Sequence, residues 1–157
     1  MKHTISALVR NKFGVLARIA GLFSGRGYNI DSLCVAETLD PDYSLMTIVS
    51  HGDEAILEQI NKQLNKLVDV VKVTDFAEKE CVIRELALIK VNATTQNRSE
   101  IMQIVDIFRA KIIDISSKSL TIEITGSEEK VGAIIKMLES FGIKEIAKTG
   151  RVAMARK

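Results

Sequence analysis

Tryptophan is absent from this 157-residue chain, proline occurs once, and histidine and cysteine occur only twice each. Each scarcity excludes something. Two histidines, His3 and His51, lie in opposite halves of the first half-chain's sequence, and no HExxH, CxxC or clustered His/Asp/Glu set accompanies them, so a metal site is not expected. Cys34 and Cys81 are far apart and lack a histidine at a motif spacing. They read as reduced, buried core thiols rather than a disulfide or a nucleophile. Long hydrophobic runs are missing too: the longest uninterrupted ones are four or five residues, against the roughly 20 needed to cross a bilayer. The start, Met1-Lys2-His3-Thr4-Ile5-Ser6, passes straight into a strand-like pattern without a signal-type hydrophobic region. The expected setting is therefore a cytoplasm, with no membrane partner.

Charge of one sign is scarce as well. The net charge of +2 is too small for electrostatic capture of nucleic acid. Five phenylalanines and two tyrosines are the only aromatics, and strand candidates offer isolated ones such as Tyr43 and Phe76. That is no base-stacking platform, so no nucleic-acid partner is expected. No GxSxG, P-loop or dinucleotide fingerprint occurs, and the glycines at 21, 25 and 27 follow a helical pattern instead of a strand. No catalytic constellation is present. What remains, 46% hydrophobic and 27% charged residues, is the profile of a compact folded protein.

Periodicity divides the chain into two copies of one layout. The first reads as a strand His3 to Arg10, a helix Val15 to about Arg26 with Leu16, Ile19, Ala20 and Phe23 inward, and a strand Asn29 to Leu39. A turn at Asp40-Pro41-Asp42 leads to a strand Ser44 to Ser50. A helix from Asp53 to Leu67 with Leu57, Ile60 and Leu64 inward, and a strand Val70 to Phe76, complete the unit. The second reads as a strand Arg84 to Ala93, a helix Ser99 to Ala110, strands Ile112 to Ser116 and Leu120 to Thr125, a helix Glu128 to Ser140, and a strand Ile143 to Lys148. Inward positions are Ile101, Ile104, Val105 and Phe108 in the third helix, and Val131, Ile134, Ile135 and Leu138 in the fourth. Each copy is β-α-β-β-α-β, so the expected class is α+β: two tandem ferredoxin-like domains, antiparallel sheets with helices on one face. The boundary falls in the charged stretch Glu78-Lys79-Glu80, dividing the chain into 1–77 and 78–157. At about 75 residues each half is small for a single core. Each also leaves one sheet face uncovered by its own helices, so a homo-oligomer with sheets joined edge to edge or face to face is expected.

The turn Asn11-Lys12-Phe13-Gly14-Val15-Leu16 joins the first strand to the first helix. Helix N-termini present unpaired N–H groups and partial positive charge, which attract carboxylates. Gly14 permits close approach to the main chain, Asn11 carries both a donor and acceptors, and Val15 and Leu16 offer an apolar wall. These are parts for an amino-acid site. The same residues serve equally as an ordinary helix start, in which Asn11 or a neighbour caps the helix and Gly14 eases the turn, and spacing alone favours that account. Gly27-Tyr28-Asn29-Ile30-Asp31-Ser32 likewise reads as a helix stop, or as a loop that completes a pocket from a paired subunit.

The run Asn11-xx-Gly14-Val15-Leu16-xx-Ile19-xx-Leu22-Phe23-Ser24-x-Arg26-Gly27-Tyr28-Asn29-Ile30-x-Ser32-Leu33 resembles the ACT domain of the small regulatory subunits of acetolactate synthase (acetohydroxyacid synthase). The resemblance continues through Ser44-x-Met46-Thr47-Ile48-Val49, Arg84-Glu85-Leu86-x-Leu88-Ile89-Lys90-Val91, Phe108-Arg109-Ala110-x-Ile112-Ile113-Asp114 and Thr149-Gly150-Arg151-Val152, and covers essentially the whole chain. It implies a non-catalytic subunit that activates a catalytic large subunit and confers feedback inhibition by valine in branched-chain amino-acid (valine, isoleucine) biosynthesis. Thiamine diphosphate, Mg and FAD would be held by that large subunit, and none by this chain. The resemblance also implies a homodimer through the ACT domains, residues 1–77, while residues 78–157 contact the large subunit. Asn11, Gly14, Val15 and Leu16 would hold the effector from one chain, and Asn29 and Ile30 from the other. Two other readings stand beside it: a stand-alone amino-acid sensor acting on another partner, and a small ferredoxin-like enzyme, which the missing catalytic groups oppose.

Overall fold

Alternation along the first strand sets the architecture. In β1 (Lys2–Arg10), Ile5, Ala7 and Val9 are fully buried on one face, and the register pairs them with Ile48, Met46 and Ser44 of β3 (Tyr43–His51). The computed structural model describes residues 1–76 and 80–157. By contacts it divides into two units, Met1–Val82 with Arg151–Lys157, and Ile83–Gly150. The boundary expected between 77 and 78 falls outside the described residues, and the last seven residues group with the first unit.

The first unit is a four-stranded antiparallel sheet in the order β2-β3-β1-β4, with β2 at Ser32–Glu37 and β4 at Val70–Phe76. Helices α1 (Val15–Gly25) and α2 (Glu54–Asn65) bury Val15, Ile19 and Phe23, and Ile60 and Leu64, against the Ile5/Ala7/Val9 face. Leu16 and Ala20, expected inward, do not join that core. The helix is turned so that Val15 takes the position, and Leu16 stays 45% exposed. Strand β2 starts at Ser32 instead of Asn29, because Asn29 directs its side chain to Asp31 and the ladder begins only beyond it. Cys34 on this strand is only half-buried, whereas Cys81 is buried, and neither is in a disulfide among the described residues.

The second face of the first sheet carries Thr4, Ser6, Thr47 and Val49, all buried. Arg151 lies on it. Its guanidinium Nη1 donates to Thr4 Oγ1 at 3.0 Å and its backbone N–H donates to Ser32 Oγ at 3.2 Å. Part of the cover expected from a second chain is thus supplied by the chain's own C-terminal residues. Beyond Arg151 runs a strand not expected from the sequence, β9 (Val152–Ala155), which pairs with β5 (Cys81–Asn92). A four-residue strand with a methionine and three small or branched residues carries too short a period to read.

The second unit repeats the order as β6-β7-β5-β8, with β6 at Lys111–Ile115, β7 at Ser119–Gly126 and β8 at Ile143–Lys148. Helices α3 (Arg98–Ile107) and α4 (Glu128–Leu138) cover one face. Its core joins Ala87, Ile89, Val91, Ile122 and Ile124 to Ile101, Val105, Val131, Ile134 and Leu138. Helix α3 stops before Ala110 because Arg109 takes a left-handed conformation (φ 54°), and α4 passes into a 3-10 turn over Glu139–Phe141. Ser127 caps α4 by accepting the Lys130 N–H at 3.3 Å.

Replacing Ile89, fully buried, by alanine is expected to destabilise the second unit by about 2–5 kcal/mol, read from its urea unfolding midpoint. Asp53→Ala removes the acceptor of the Ile56 N–H at the start of α2 and is expected to cost about 1 kcal/mol by the same measurement.

Candidate functional site

The β1–α1 turn is tied down on its β3 side. Asn11 N–H donates to Asp42 O at 2.7 Å and Asn11 Nδ2 to Pro41 O at 2.9 Å, while Arg10 N–H donates to Asp69 O at 2.8 Å. Asn11 therefore fixes the turn to the Asp40-Pro41-Asp42 hairpin and does not cap α1. The residue at the cap position is Gly14, with φ 83° and ψ −6° and no side-chain hydrogen bond. A Cβ built there meets nothing within 4 Å, so the demand for glycine comes from the left-handed backbone and not from crowding.

Helix α1 also has no acidic residue in its first turn. The other three described helices each carry at least one, Glu54, Glu100 or Glu128, and two of them have side-chain caps. The N-terminus of α1 thus keeps its partial positive charge uncompensated by the chain's own carboxylates. Where the β1–α1 turn meets the start of β3, a cavity of about 320 Å³ is lined by Arg10, Asn11, Lys12, Asp42 and Tyr43, none of them in α1. Its lining sets two cationic side chains, Arg10 and Lys12, against one carboxylate, Asp42. Of the apolar residues, Val15 is committed to the core and offers only its main chain, while Leu16 is half exposed and Phe13 fully exposed.

The second expected group sits at the other end of α1. Gly27 (φ 71°) turns the chain after Arg26, and the Tyr28 N–H returns to Phe23 O at 2.9 Å. Asn29 is exposed; its Nδ2 donates to Asp31 Oδ1 at 2.7 Å, and its carbonyl accepts from Ser50 Oγ at 2.8 Å. Ile30 is half-buried against the first core. Asp31 Oδ2 also pairs with His51 Nδ1, forming an Asn29–Asp31–His51 chain of contacts that sequence spacing did not indicate. The hydrogen bonds from His51 and then Asn29 hold the Asp31 carboxyl below its ordinary value.

Asn11, Gly14, Val15 and Leu16 therefore lie together at the start of α1, and Asn29 and Ile30 just beyond its end, with most of the 11-residue helix, roughly 16 Å long in all, between the two groups. Arg10, Lys12, Asp42 and Tyr43 were not picked out from the sequence. Three of them flank Asn11 or the Asp40-Pro41-Asp42 turn, whose position beside the β1–α1 turn is created only by strand pairing. Among the described residues no group of three or more His, Cys, Asp or Glu side chains could hold a metal ion. His3 is buried, with Nε2 at 3.0 Å from Gly52 O. Among the described residues, no helix is long and apolar enough to cross a membrane.

Two family profiles match the chain: an "AHAS small subunit-like ACT domain" over residues 5–72 and a "Small subunit of acetolactate synthase" over residues 84–157. The chain is 54% identical to a protein of Archaeoglobus fulgidus described as "Probable acetolactate synthase small subunit", covering 99% of this chain and 98% of the relative. It is 52% identical to the acetolactate synthase small subunit of Mycolicibacterium smegmatis, covering 98% and 91%. Its fold is similar to the crystal structure of the acetolactate synthase small subunit from Thermotoga maritima, with a TM-score of 0.93, 47% identity, and coverage of 100% and 98%.

The Asp31–His51 pair yields a pH expectation. A carboxyl whose folded pKa lies below its unfolded value contributes stability above the unfolded pKa, and loses it as pH falls through the folded one. Titration of the Asp31 carboxyl by NMR is expected to show an upward move in His51→Ala; an unchanged midpoint would mean the pair does not form in solution.

Proposed function

This chain belongs to the acetolactate synthase small-subunit family, and we propose that it is a regulatory, non-catalytic chain that activates the catalytic large subunit and makes it sensitive to valine. The thiamine diphosphate, Mg and FAD chemistry belongs, in this reading, to the large subunit, and both chains work in the cytoplasm. The observation that carries the effector site is the start of α1. Its N-terminus has neither cap nor acid, follows a left-handed Gly14, and lies beside Arg10 and Lys12. A valine carboxylate meets the N–H groups and the cationic side chains there, Asn11 holds a polar group, and Leu16 faces the isopropyl group.

One chain supplies half of this pocket, and the sheet register supports a second chain for the rest. Arg10 lies opposite Tyr43 and Glu37 opposite Ser44, so the Asn11–Leu16 turn sits at the Glu37 end of β2. Asn29 and Ile30 precede Ser32, at the other end. Strand β2 is at the sheet edge with one side unpaired. A two-fold axis that pairs β2 antiparallel with its copy brings each Ser32 end beside the partner's Glu37 end. The two groups, apart in one chain, then meet twice across the dimer. The homodimer proposed here is formed through residues 1–77 in this way.

Residues 78–157 are the part proposed to contact the large subunit. Supporting this, the second unit exposes Ile107, Ile113 and Ile115 along α3 and the edge strand β6, at 77%, 49% and 65%. Large apolar side chains exposed to this extent suit a protein interface better than open solvent.

Gly14→Asp is expected to abolish valine inhibition and leave activation intact, since it puts a carboxylate where the effector's would bind. Aspartate tolerates the left-handed backbone better than most residues. The assay is acetolactate formation by the reconstituted enzyme with and without valine, and retained inhibition would refute the site. A mixing experiment tests the shared pocket. Gly14→Asp and Asn29→Ala are each expected to bind no valine by calorimetry, yet after subunit exchange about half of the dimers carry one intact site. Recovered heat supports the shared pocket, and none after verified exchange contradicts it.

A further inference from the structure

A free amino acid carries two opposite charges, and the two groups of the proposed pocket differ in charge as well. The cavity at the Asn11 turn sets Arg10 and Lys12 against the single carboxylate of Asp42. An effector carboxylate is matched there, but an α-ammonium group meets two like charges. The second group, Asn29 and Ile30, adjoins a different carboxylate, Asp31.

Asp31 is held in a fixed frame within the first unit. Its backbone N–H donates to Val49 O at 2.8 Å, beside the start of the β2–β3 ladder. Its Oδ2 pairs with His51 Nδ1, and its Oδ1 accepts from Asn29 Nδ2 at 2.7 Å. Hydrogen bonds from His51 and then Asn29, with a smaller effect from the charge of Lys2 on β1, favour the ionised carboxyl. The Asp31 side chain remains 28% exposed, so a ligand can still reach it.

An ionised carboxylate only accepts hydrogen bonds, so it dictates which way the Asn29 amide faces. Nδ2 is turned to Asp31, and Oδ1 is left without a donor among the described residues. The main chain of the same residue is fixed too, because its carbonyl accepts from Ser50 Oγ at 2.8 Å. Resting on the effector reading above, we propose that Asp31 is a specificity residue of the pocket, and that with the Asn29 Oδ1 it orients, it takes the effector's α-ammonium group. The pocket then separates an α-amino acid from the α-keto acid of the same carbon skeleton. That analogue has the same carboxylate and side chain, but it sets an acceptor oxygen against acceptors, and a site built to bond a donor rejects a ligand lacking it. His51 is a positioning residue, acting through the Asp31 carboxylate.

Calorimetry of the full chain with valine and with α-ketoisovalerate tests this assignment. The unaltered chain is expected to favour valine by about 10- to 100-fold, the range set by a hydrogen bond to a charged group. Asp31→Asn keeps the shape and removes the charge; it is expected to lose most of that preference by weakening valine alone. Asp31→Glu, which keeps the charge, is expected to bind valine more tightly than Asp31→Asn does. His51→Ala is expected to reduce the preference severalfold. Should Asp31→Asn fail to fold, Asp31→Ser is read in its place. Unchanged valine affinity in Asp31→Asn, or an equal loss for both ligands, overturns the assignment and leaves the effector site standing. So does an unaltered chain that binds the keto acid as tightly as valine. Valine affinity no better in Asp31→Glu than in Asp31→Asn also overturns it, and an unchanged preference in His51→Ala overturns the role given to His51. Absence of valine binding to the unaltered chain overturns the effector reading itself, and this assignment with it.

Discussion

Two helices cover only one face of a four-stranded sheet, and the opposite face of each unit has to be satisfied by something else. That constraint shapes much of this molecule. In the first unit the opposite face is lined with hydroxyls, Thr4, Ser6 and Thr47, together with Val49, and the buried Arg151 lies over it as a hydrogen-bond donor. Hydroxyls buried without partners would each cost on the order of 1–3 kcal/mol, so the arginine and the small polar side chains suit one another. In the second unit the helix-free face carries Leu88, Lys90, Asp114, Thr121, Glu145 and Ala147, which line an open depression of about 290 Å³. Lys90 and Glu145 approach to 3.5 Å there, an exposed pair of the kind that adds little stability.

The two ends of α1 show how local chemistry can be left incomplete or completed. Its start has no cap and no carboxylate, and a glycine in the left-handed region carries the chain into it. Its end leads into a dense set of contacts, Asn29 on Asp31 and Asp31 on His51. With glycine at the cap position, an N-terminus without a side-chain cap costs the isolated chain only about a few tenths of a kcal/mol. Such local departures from optimal stability are characteristic of places where a protein binds something.

Much of the architecture was legible in the residues. The alternation of Leu120, Ile122 and Ile124 and the three-and-four spacing of Val131, Ile134 and Leu138 each admit one secondary structure. Strands Val70–Phe76 and Ile143–Lys148 fall where their patterns place them. Other features were not legible, for identifiable reasons. Leu16 and Val15 both fit a helical stripe, and only packing decided which turns inward. Arg109, a residue with no special freedom for positive φ, ends α3 earlier than its apolar spacing suggests. The Asp31–His51 pair joins residues 20 apart whose proximity depends on the Ser32–Val49 register.

The candidate site divides along the same line. The sequence by itself determined the two β-α-β-β-α-β units, the glycine before α1 and the family resemblance, because periodicity, turn chemistry and motif are local properties of consecutive residues. Only the tertiary structure decided that Asn11 holds the Pro41 carbonyl instead of capping the helix, leaving the N-terminus of α1 open. It alone placed Asp31 on His51, and Arg151 on Ser32. These outcomes depend on contacts between residues 20 to 119 positions apart, and strand pairing and burial, not local propensity, select them.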